Sequence, residues 1–595
     1  MVRYQAPVAD TEFLLTRVFA IDRYDNLPGF AEAGGEVVHA ALEEAARIAV
    51  EVFQPLNHVG DREGCRIENG AVHTPQGFHE AYQALAEGGW IGLTASPDYG
   101  GQGLPAFLGA ALNEYLSSAN MALAMYPGLS MGAYAAIARH ASDEIKAVYL
   151  PKLASGAWAG TMNLTESQCG TDLGLIRTSA RAADDGTYRI KGTKIFISAG
   201  EHDLAQNIVN LVLARIEGAP EGTRGISLFV VPKFLPTGSG EPGQRNGVEC
   251  ISLEEKMGIH ANATCVMQYE DAVGWLIGEE NRGLAAMFTM MNEARLGVGI
   301  QGLALSEIAY QNAAAYARER LQGRALSGPA EPDKPADPLI VHPDVRRILM
   351  DIRAFNEAAR ALVLGTSLRA SVALGADEAA ARAAEDHLSL VTPVIKGVLT
   401  ETGFANTVAA QQVFGGHGYI RETGMEQLVR DARITLIYEG ANAIQALDLV
   451  GRKLPRDGGR ALIAFFGEVD AAIAEAGGEE RLRDVAEALQ KARDDLEAAT
   501  TWFMSNALAN PDHAGAGASD YMYLFGLVAL GWMWARIAVT AAADLAAGEG
   551  DANFLEQKLI LAHHFAARAL PETATRLARV RAGAGTVMAL PASAF

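Results

Sequence analysis

The sequence predicts a mainly helical α+β fold, in which helical domains flank a middle β domain and a further helical domain follows. Several domains are expected, because 595 residues exceed what one compact core accommodates. The pattern is helical from about Pro28 to Leu153, β-branched and aromatic runs dominate from about Ala159 to Glu280, and the helical pattern returns from Asn281. A Pro-Gly break at Pro455–Gly459 precedes the last part. We therefore predict domains at residues 1–158, 159–280, 281–455 and 456–595.

Local patterns support each of these domains. Helices are predicted over the Ala-rich stretches Val37–Phe53 and Gly109–Ser118, and over Asp344–Val363, where apolar residues recur at three-four spacing. Short antiparallel strands are predicted in the middle domain, at Thr187–Ser198, Asn207–Ile216, Ile226–Val231 and Ala263–Tyr269. The segment Ser327–Pro338 contains four prolines and is predicted to be a loop.

Composition and charge argue against several classes of protein. The formal net charge is −22, so the chain lacks the basic excess that nucleic-acid phosphates attract. The four cysteines are widely spaced, which indicates free thiols and no metal site, and the adjacent His563 and His564 would face about 100° apart on a helix. The apolar run Tyr521–Ala535 has 15 residues, short of the roughly 20 that span a membrane, and predicts a core helix. With neither signal nor transit pattern at the N-terminus, we expect a cytoplasmic protein without a transmembrane segment.

Two segments of the middle domain combine polar and aromatic residues. Gly160–Asp172 places hydroxyls and a glycine at the entry to the β domain, a pattern that an ordinary polar turn also explains. Lys194–Gly200 is read as a strand, on which Phe196 and Ser198 point to one face. An aromatic ring and a hydroxyl on one face suit a planar heteroaromatic ligand, although a core Phe beside a surface Ser gives the same pattern.

A third segment is longer and richer in chemistry. It comprises Gln412–Arg421, in which three glycines permit close backbone approach to a ligand, and Arg430–Gln445. Glu439 follows an apolar run and precedes Gly440. Apolar surroundings raise the proton affinity of a carboxylate, which suits a general base, although a carboxylate that caps a loop remains the alternative. His417 either approaches a ligand or caps the glycine-rich turn.

In this order the three segments resemble the acyl-CoA dehydrogenase family. The resemblance covers about residues 80–455 and includes Pro97–Leu104, Tyr149–Leu153 and Ala317–Arg320. The long terminal parts resemble a large bacterial branch that contains 3-(methylthio)propanoyl-CoA dehydrogenases. The resemblance implies the family fold, which consists of an N-terminal helical domain, a middle β-barrel or sheet domain and a helical bundle. In this chain an additional C-terminal helical domain is expected to follow.

The resemblance also implies a cofactor, FAD, and the residues that bind it. The residues that match flavin-contacting positions of the middle domain are Met162, Leu164, Thr165, Gly170, Thr171, Phe196 and Ser198. Arg320, Gln412 and Gly416 match positions that hold the diphosphate and adenine half of FAD from the neighbouring subunit. The resemblance therefore implies a homodimer, or a tetramer, with FAD at the subunit interface.

The same comparison implies the substrate contacts and the base. Thr171, Asn292, Arg295 and Gly440 match positions near the acyl-CoA, and Glu439 matches the base that removes the α-proton. Some relatives carry this carboxylate just before the arginine of the later helix, where this chain has Ala294. Ala441 stands where many relatives have a flavin-contacting threonine, so Asn442 or water would have to replace that hydroxyl.

The implied activity is α,β-dehydrogenation of an acyl-CoA thioester to a trans-2-enoyl-CoA, with electrons passed to an electron-transferring flavoprotein. The substrate implied by the resemblance is 3-(methylthio)propanoyl-CoA, as in dimethylsulfoniopropionate catabolism, or a short-, medium- or long-chain acyl-CoA, as in fatty acid β-oxidation. Two alternatives are an acyl-CoA oxidase and, on weaker grounds, a flavin-containing nucleic-acid-binding relative. No metal is expected.

Overall fold

The computed structural model describes residues 2–375 and 377–595. Its α-helices are α1 (Val8–Phe13), α2 (Gly35–Ile48), α3 (Gln54–Glu63), α4 (Phe78–Glu87), α5 (Ala106–His140), α6 (Asp143–Ala154), α7 (Gly283–Glu319), α8 (Pro343–Gly375), α9 (Glu378–Val413), α10 (Met425–Arg433), α11 (Asn442–Asp448), α12 (Arg460–Gly478), α13 (Arg483–Asn506), α14 (Pro511–Ala547), α15 (Ala552–Arg568) and α16 (Glu572–Ala582). Its strands are β1 (Arg66–Glu68), β2 (Ala71–His73), β3 (Trp158–Asn163), β4 (Ser179–Ala182), β5 (Tyr188–Ser198), β6 (Asn207–Ile216), β7 (Ile226–Pro232), β8 (Phe234–Pro236), β9 (Pro242–Arg245), β10 (Val248–Leu253) and β11 (Thr264–Ile277).

These elements form two compact units. The sheet unit is Glu44–Gly297, and the helical unit combines Met1–Glu43 with Val298–Phe595. The predicted fold class is confirmed, because helices precede and follow a middle sheet and further helices occupy the C-terminal part. The four domain boundaries drawn from the sequence stay predictions.

In the sheet unit, the described strands include a seven-stranded sheet with the order β10-β11-β5-β4-β6-β3, in which β7 pairs with β11 and β6. The predicted antiparallel arrangement holds for most pairs, but β6 pairs parallel with both β3 and β4. Parallel pairing needs a long crossover, and the 43 residues of 164–206 between β3 and β6 provide one. Such a connection leaves no trace in the alternation of a single strand, so the prediction missed it.

The sheet packs on α5 through a glycine of β3. A Cβ at Gly160 would lie 2.5 Å from the Cβ of Ala133. The N–H of Gly160 donates to the hydroxyl of Ser130 at 3.0 Å, which ties the strand to the helix. Strand and helix therefore approach more closely than any side chain at this position would allow.

The helical unit has a core of long helices that the sequence predicts in part. The amphipathic stretch Asp344–Val363 lies within α8, and the apolar run Tyr521–Ala535 lies within α14. Trp534 is buried and its indole N–H donates to the carbonyl of Ala354 at 2.9 Å, which links α14 to α8. The aromatic residues of α14 therefore serve in core packing, as predicted.

Among the described residues, two helices are long and apolar enough to cross a membrane, judged by length and composition alone. They are α5 and α14, and 72% and 78% of their most apolar windows are buried inside the protein. Burial of this extent is typical of core helices, since a membrane span exposes its apolar side chains to lipid.

Candidate active site

In the sheet unit, the structure gathers the predicted flavin-contacting residues around two neighbouring segments. Met162 lies near the end of β3, and Leu164 and Thr165 follow it directly. The N–H of Ile195 in β5 donates to the carbonyl of Thr165 at 2.9 Å, which places this loop beside the strand that carries Phe196. The loop closes on itself, since a Cβ at Gly170 would lie 3.7 Å from the methyl group of Thr165.

A buried ion pair fixes that loop against β5. Lys194 is 0% exposed, and its ammonium group lies 2.9 Å from both the Glu166 carboxylate and the carbonyl of Leu164. Glu166 also accepts from the backbone N–H groups of Arg177 and Thr178, at 2.7 and 3.0 Å. Burial alone would raise the pKa of Glu166, but the charge of Lys194 and the hydrogen bonds outweigh it and lower the pKa to about 2. This carboxylate is therefore ionised and holds the loop rather than serving as a base.

Phe196 sits on a bulge that strand alternation does not predict. The pairing of β5 with β11 shifts register between Cys265 and Met267, and Phe196 adopts φ +59°. Its ring is 60% exposed, whereas the next residue, Ile197, is buried at 2%. Ser198 is partly exposed, so the side chains of Phe196 and Ser198 are both accessible, although the positive φ of Phe196 departs from regular strand alternation.

The predicted substrate residues of α7 are divided by burial. Asn292 is exposed, whereas Arg295 is 4% exposed and its guanidinium carbon lies 5.8 Å from the ring centre of Phe288. Ala294, at the alternative position of the base, is partly buried and carries no titratable group. Glu293 beside it is exposed at its surface, although the surrounding protein desolvates its carboxylate and raises its pKa. Thr171, the other predicted contact in the sheet unit, is exposed.

In the helical unit, the structure brings the end of α7 beside the glycine-rich turn. The rings of Tyr316 and Phe414 stack with centroids 4.2 Å apart and an angle of 17° between their planes. The Tyr316 hydroxyl is 3.3 Å from Nδ1 of His417, a hydrogen-bonding distance that links α7 to the glycine-rich turn. Arg320, Gln412 and Gly416 are all exposed near this contact. A Cβ at Gly416 would meet nothing within 4 Å, so the turn presents bare backbone to its surroundings.

Glu439 lies on a tight turn between α10 and α11. It adopts φ +57°, and Gly440 follows with φ +85°. A non-glycine residue in this region is disfavoured by contact between its Cβ and the backbone, and such residues concentrate at functional sites. The Glu439 side chain is half-buried. Burial raises the pKa of Tyr438, and the negative charge of Glu439 adds to that rise, which places the carboxylate within electrostatic reach of the tyrosine hydroxyl.

The Asn442 side chain does not replace the missing threonine hydroxyl. It is buried and directed at α9, where its Oδ1 accepts from the ammonium group of Lys396 at 2.9 Å. Its Nδ2 donates to the carbonyl of Gly397 and the carboxylate of Glu401, at 3.2 and 3.0 Å. These bonds occupy the amide, so a substitute for the threonine hydroxyl has to come from water or the backbone of Ala441.

Several residues of the site region were not assigned a role from the sequence. They are Glu166, Lys194, Gln301 and Gln445, each of which bonds to a loop that carries predicted site residues. Glu166, Lys194 and Gln445 lie inside the three segments singled out in the sequence, and their polar side chains are the only signal that the sequence gives for them. His563 and His564, by contrast, face different carboxylates, Asp484 at 2.8 Å and Asp351 at 2.7 Å, as expected of neighbours on a helix.

Comparison with known families assigns nearly the whole chain. Models described as the N-terminal, middle and C-terminal domains of acyl-CoA dehydrogenase match residues 39–157, 161–272 and 281–454. A fourth model, described as acetyl-CoA dehydrogenase C-terminal like, matches residues 465–591. The order of the matches agrees with the order of helical, sheet and helical regions in the structure.

Individual relatives extend over the same length. The 3-methylmercaptopropionyl-CoA dehydrogenase of Ruegeria pomeroyi is 44% identical over 97% of this chain and 98% of its own. The broad-specificity linear acyl-CoA dehydrogenase FadE5 of Mycobacterium tuberculosis is 36% identical over 96% of each chain. The solved acyl-CoA dehydrogenase of Bacillus anthracis, complexed with FAD, shares the fold with a TM-score of 0.74 and 22% identity, over 91% of this chain and 87% of its own. This chain is therefore an oxidoreductase that belongs to the acyl-CoA dehydrogenase family.

Proposed function

We propose that the protein catalyses the FAD-dependent α,β-dehydrogenation of an acyl-CoA thioester to a trans-2-enoyl-CoA, with Glu439 as the base. The observation that carries the proposal is the conformation of Glu439, a half-buried carboxylate held at φ +57° on the turn where the family places its base. The alternative position, Ala294, has no group that accepts a proton. An electron-transferring flavoprotein is the proposed acceptor of the electrons.

The residues present fit FAD by their chemistry. In the sheet unit, Phe196 offers an exposed aromatic face, and Ser198, two residues on, offers a hydroxyl. In the helical unit, Arg320 offers a guanidinium fork suited to phosphate oxygens, and Gly416 offers accessible backbone N–H. Met162, Leu164, Thr165, Gly170 and Thr171, with Gln412 in the helical unit, are the remaining proposed contacts. By family resemblance, Arg320, Gln412 and Gly416 serve the cofactor of a neighbouring subunit, so we propose a homodimer or a tetramer.

In the proposed reaction, Glu439 takes the proton from the α-carbon of the thioester. The backbone N–H of Glu439 donates a hydrogen bond to the thioester carbonyl, and Gly440 contacts the substrate beside it. The hydrogen bond stabilises the charge that develops on that oxygen. FAD, when bound, supplies the acceptor for the hydride that leaves the β-carbon. Asn292, Arg295 and Thr171 are proposed to hold the acyl-CoA so that the α-hydrogen faces the carboxylate.

The test is the rate at which substrate bleaches the flavin in Glu439→Gln. We expect the variant to retain bound FAD and to lose bleaching, because the amide is isosteric with the carboxylate but accepts no proton. Glu293→Gln is the matched control, since it removes the exposed carboxylate beside Ala294, and we expect its bleaching rate to stay within about twofold of wild type. Normal bleaching in Glu439→Gln would reject Glu439 as the base.

For the substrate we propose 3-(methylthio)propanoyl-CoA, on the support of the Ruegeria pomeroyi relative at 44% identity. The Mycobacterium tuberculosis relative acts on linear acyl-CoAs with broad specificity, which makes linear chains the competing class. A panel of acyl-CoAs, scored by kcat/KM for flavin bleaching, distinguishes the two. The proposal requires the methylthio substrate to exceed butanoyl- and longer acyl-CoAs, and a preference for a linear chain would overturn it.

A further inference from the structure

The turn that carries Glu439 is anchored at both ends by side chains of the helical unit. At one end, the hydroxyl of Tyr438 donates to the side-chain carbonyl of Gln301. At the other end, Asn442 is bonded to α9 through Lys396 and Gly397. Between these anchors lie two successive residues with positive φ, Glu439 and Gly440, so the backbone here is not helical.

One buried amide binds the middle of this turn. Gln445 is 0% exposed and lies in the first turn of α11, where side chains are directed back toward the helix N-terminus. Its Nε2 donates to the carbonyl of Glu439 at 3.2 Å and to the carbonyl of Gly440 at 3.0 Å. A carboxamide nitrogen has two N–H groups, so a single side chain can bond both oxygens at once. Neither an apolar residue nor an ionised carboxylate of similar size has a donor for either carbonyl.

We propose that Gln445 is a positioning residue that holds Glu439 in the conformation needed for α-proton removal. The inference rests on the proposed function, because it assigns Gln445 a role through Glu439. The two end anchors do not involve Gln445. Its removal therefore leaves the turn attached to the fold but releases the backbone of the residue that carries the carboxylate. A displacement of about 1 Å at a reacting group costs on the order of 100-fold in rate.

The first test is Gln445→Met, which preserves chain length and removes both donors. We expect FAD content to be unchanged, KM to change by less than about threefold, and the bleaching rate to fall on the order of 100-fold. We also expect the isotope effect of α-deuterated substrate on bleaching to increase, because proton removal becomes the slower event. A merely structural role would lower the amount of active protein and leave that isotope effect unchanged.

Asn246 provides a matched control in the sheet unit. Its Nδ2 donates to the carbonyls of Pro232 and Val273 at 2.9 and 2.8 Å, so it is a second buried amide that bridges two carbonyls. Asn246→Leu is expected to lower thermal stability and to leave the isotope effect at the wild-type value. An increased isotope effect in this control would show that any lost amide bridge produces the signal, which would overturn the assignment of Gln445.

Gln445→Glu keeps the side-chain volume and gives a second measurement if the methionine variant does not fold. The ionised carboxylate has no donor, whereas the protonated acid donates one hydrogen bond. The bleaching rate of Gln445→Glu relative to wild type should therefore rise as pH falls. Glu439, Lys396, Glu401 and Asp431, the charged groups around the turn, are present in both proteins, so the ratio reports the substituted side chain.

The outcomes separate this inference from the proposed function. If Glu439→Gln is inert while Gln445→Met bleaches within twofold of wild type, or the Gln445→Glu ratio is flat with pH, the positioning role is wrong and the base stands. If Glu439→Gln itself bleaches normally, the proposed function fails.

Discussion

A buried ion network joins the N-terminal segment and the additional C-terminal helices of the helical unit. Lys558 of α15 is 1% exposed, and its ammonium group bonds the carboxylates of Asp10 in α1 and Glu357 in α8, the latter at 2.7 Å. Arg360, also 1% exposed, bonds Asp10 as well. Three segments far apart in sequence are thus held by charges that water does not screen.

We predict that Lys558→Met destabilises the helical unit by about 3 kcal/mol. Removal of one partner from a buried ion pair costs about 3–5 kcal/mol, because the remaining charge loses its compensation. Both carboxylates keep a second cation here, since Asp10 retains Arg360 and Glu357 retains Arg353 at 2.7 Å. The expected value therefore lies at the lower end of that range. Methionine preserves most of the apolar contact area of the lysine stem, so the loss reports mainly the charge.

The assay is urea denaturation followed by far-ultraviolet circular dichroism, with the free energy of unfolding extrapolated to water. Arg481→Met is the matched control, because Arg481 pairs at 2.7 Å with Glu556 on the same helix α15 but both side chains are about half exposed. Exposed pairs of this kind contribute at most about 1 kcal/mol. Equal losses in the two variants would refute the conclusion that the buried network anchors α15.

The stability difference between wild type and Lys558→Met should depend on pH, because the pKa values of Asp10 and Lys558 are both shifted in the folded protein. Burial opposes ionisation of Asp10, but Lys558 and Arg360 outweigh it and lower its pKa below the ordinary value of 3.8. Its contribution to stability is therefore present above pH 3.8 and is lost as the pH falls through the lowered value. Burial likewise opposes the charge of Lys558, but Asp10 and Glu357 raise its pKa above 10.5, so its contribution is present below pH 10.5 and is lost as the pH rises through the raised value. The difference in free energy of unfolding between wild type and Lys558→Met should be largest between these two pH limits.

Two further predictions concern the loop within Gly160–Asp172 and a close contact between two helices. Glu166→Gln should lower the free energy of unfolding by about 3 kcal/mol at pH 7, because it leaves Lys194 buried without its counter-ion. The pKa of Glu166 is about 2 in the folded state against an ordinary 4.5, so the stability difference from wild type in acid denaturation should narrow as the pH falls from 4.5 toward 2. A difference that stays constant over this range would contradict the ion pair between Glu166 and Lys194. Gly403→Ala should cost about 1–3 kcal/mol in thermal unfolding, because the new Cβ would lie 2.2 Å from the carbonyl oxygen of Gly302. Its control, Gly467→Ala in α12, meets nothing within 4 Å and should stabilise slightly, because Ala favours a helix more than Gly does. A loss of similar size in the control would show that the cost at Gly403 does not come from the close contact with Gly302.

The sequence by itself determined the order of helical and β regions, the family and the segments that carry the proposed site. These features depend on local periodicity and on motifs of contiguous residues, both of which are present in the linear chain. Glu439 beside Gly440, Phe196 two residues before Ser198, and the glycines around Gly416 are all readable in that way.

Only the tertiary structure decided how those segments are held. The parallel pairing of β6 with β3, the bulge that exposes Phe196 and the direction of Asn442 into α9 depend on partners far along the chain. The same is true of Lys194, whose buried charge requires the carboxylate of Glu166 from another loop. Gln445 is close to Glu439 in sequence, but its proposed role follows from the positive φ of Glu439 and Gly440, which the residue types alone do not determine. A buried polar group must find a partner wherever the folded chain places one, so its contacts follow from the fold rather than from sequence spacing.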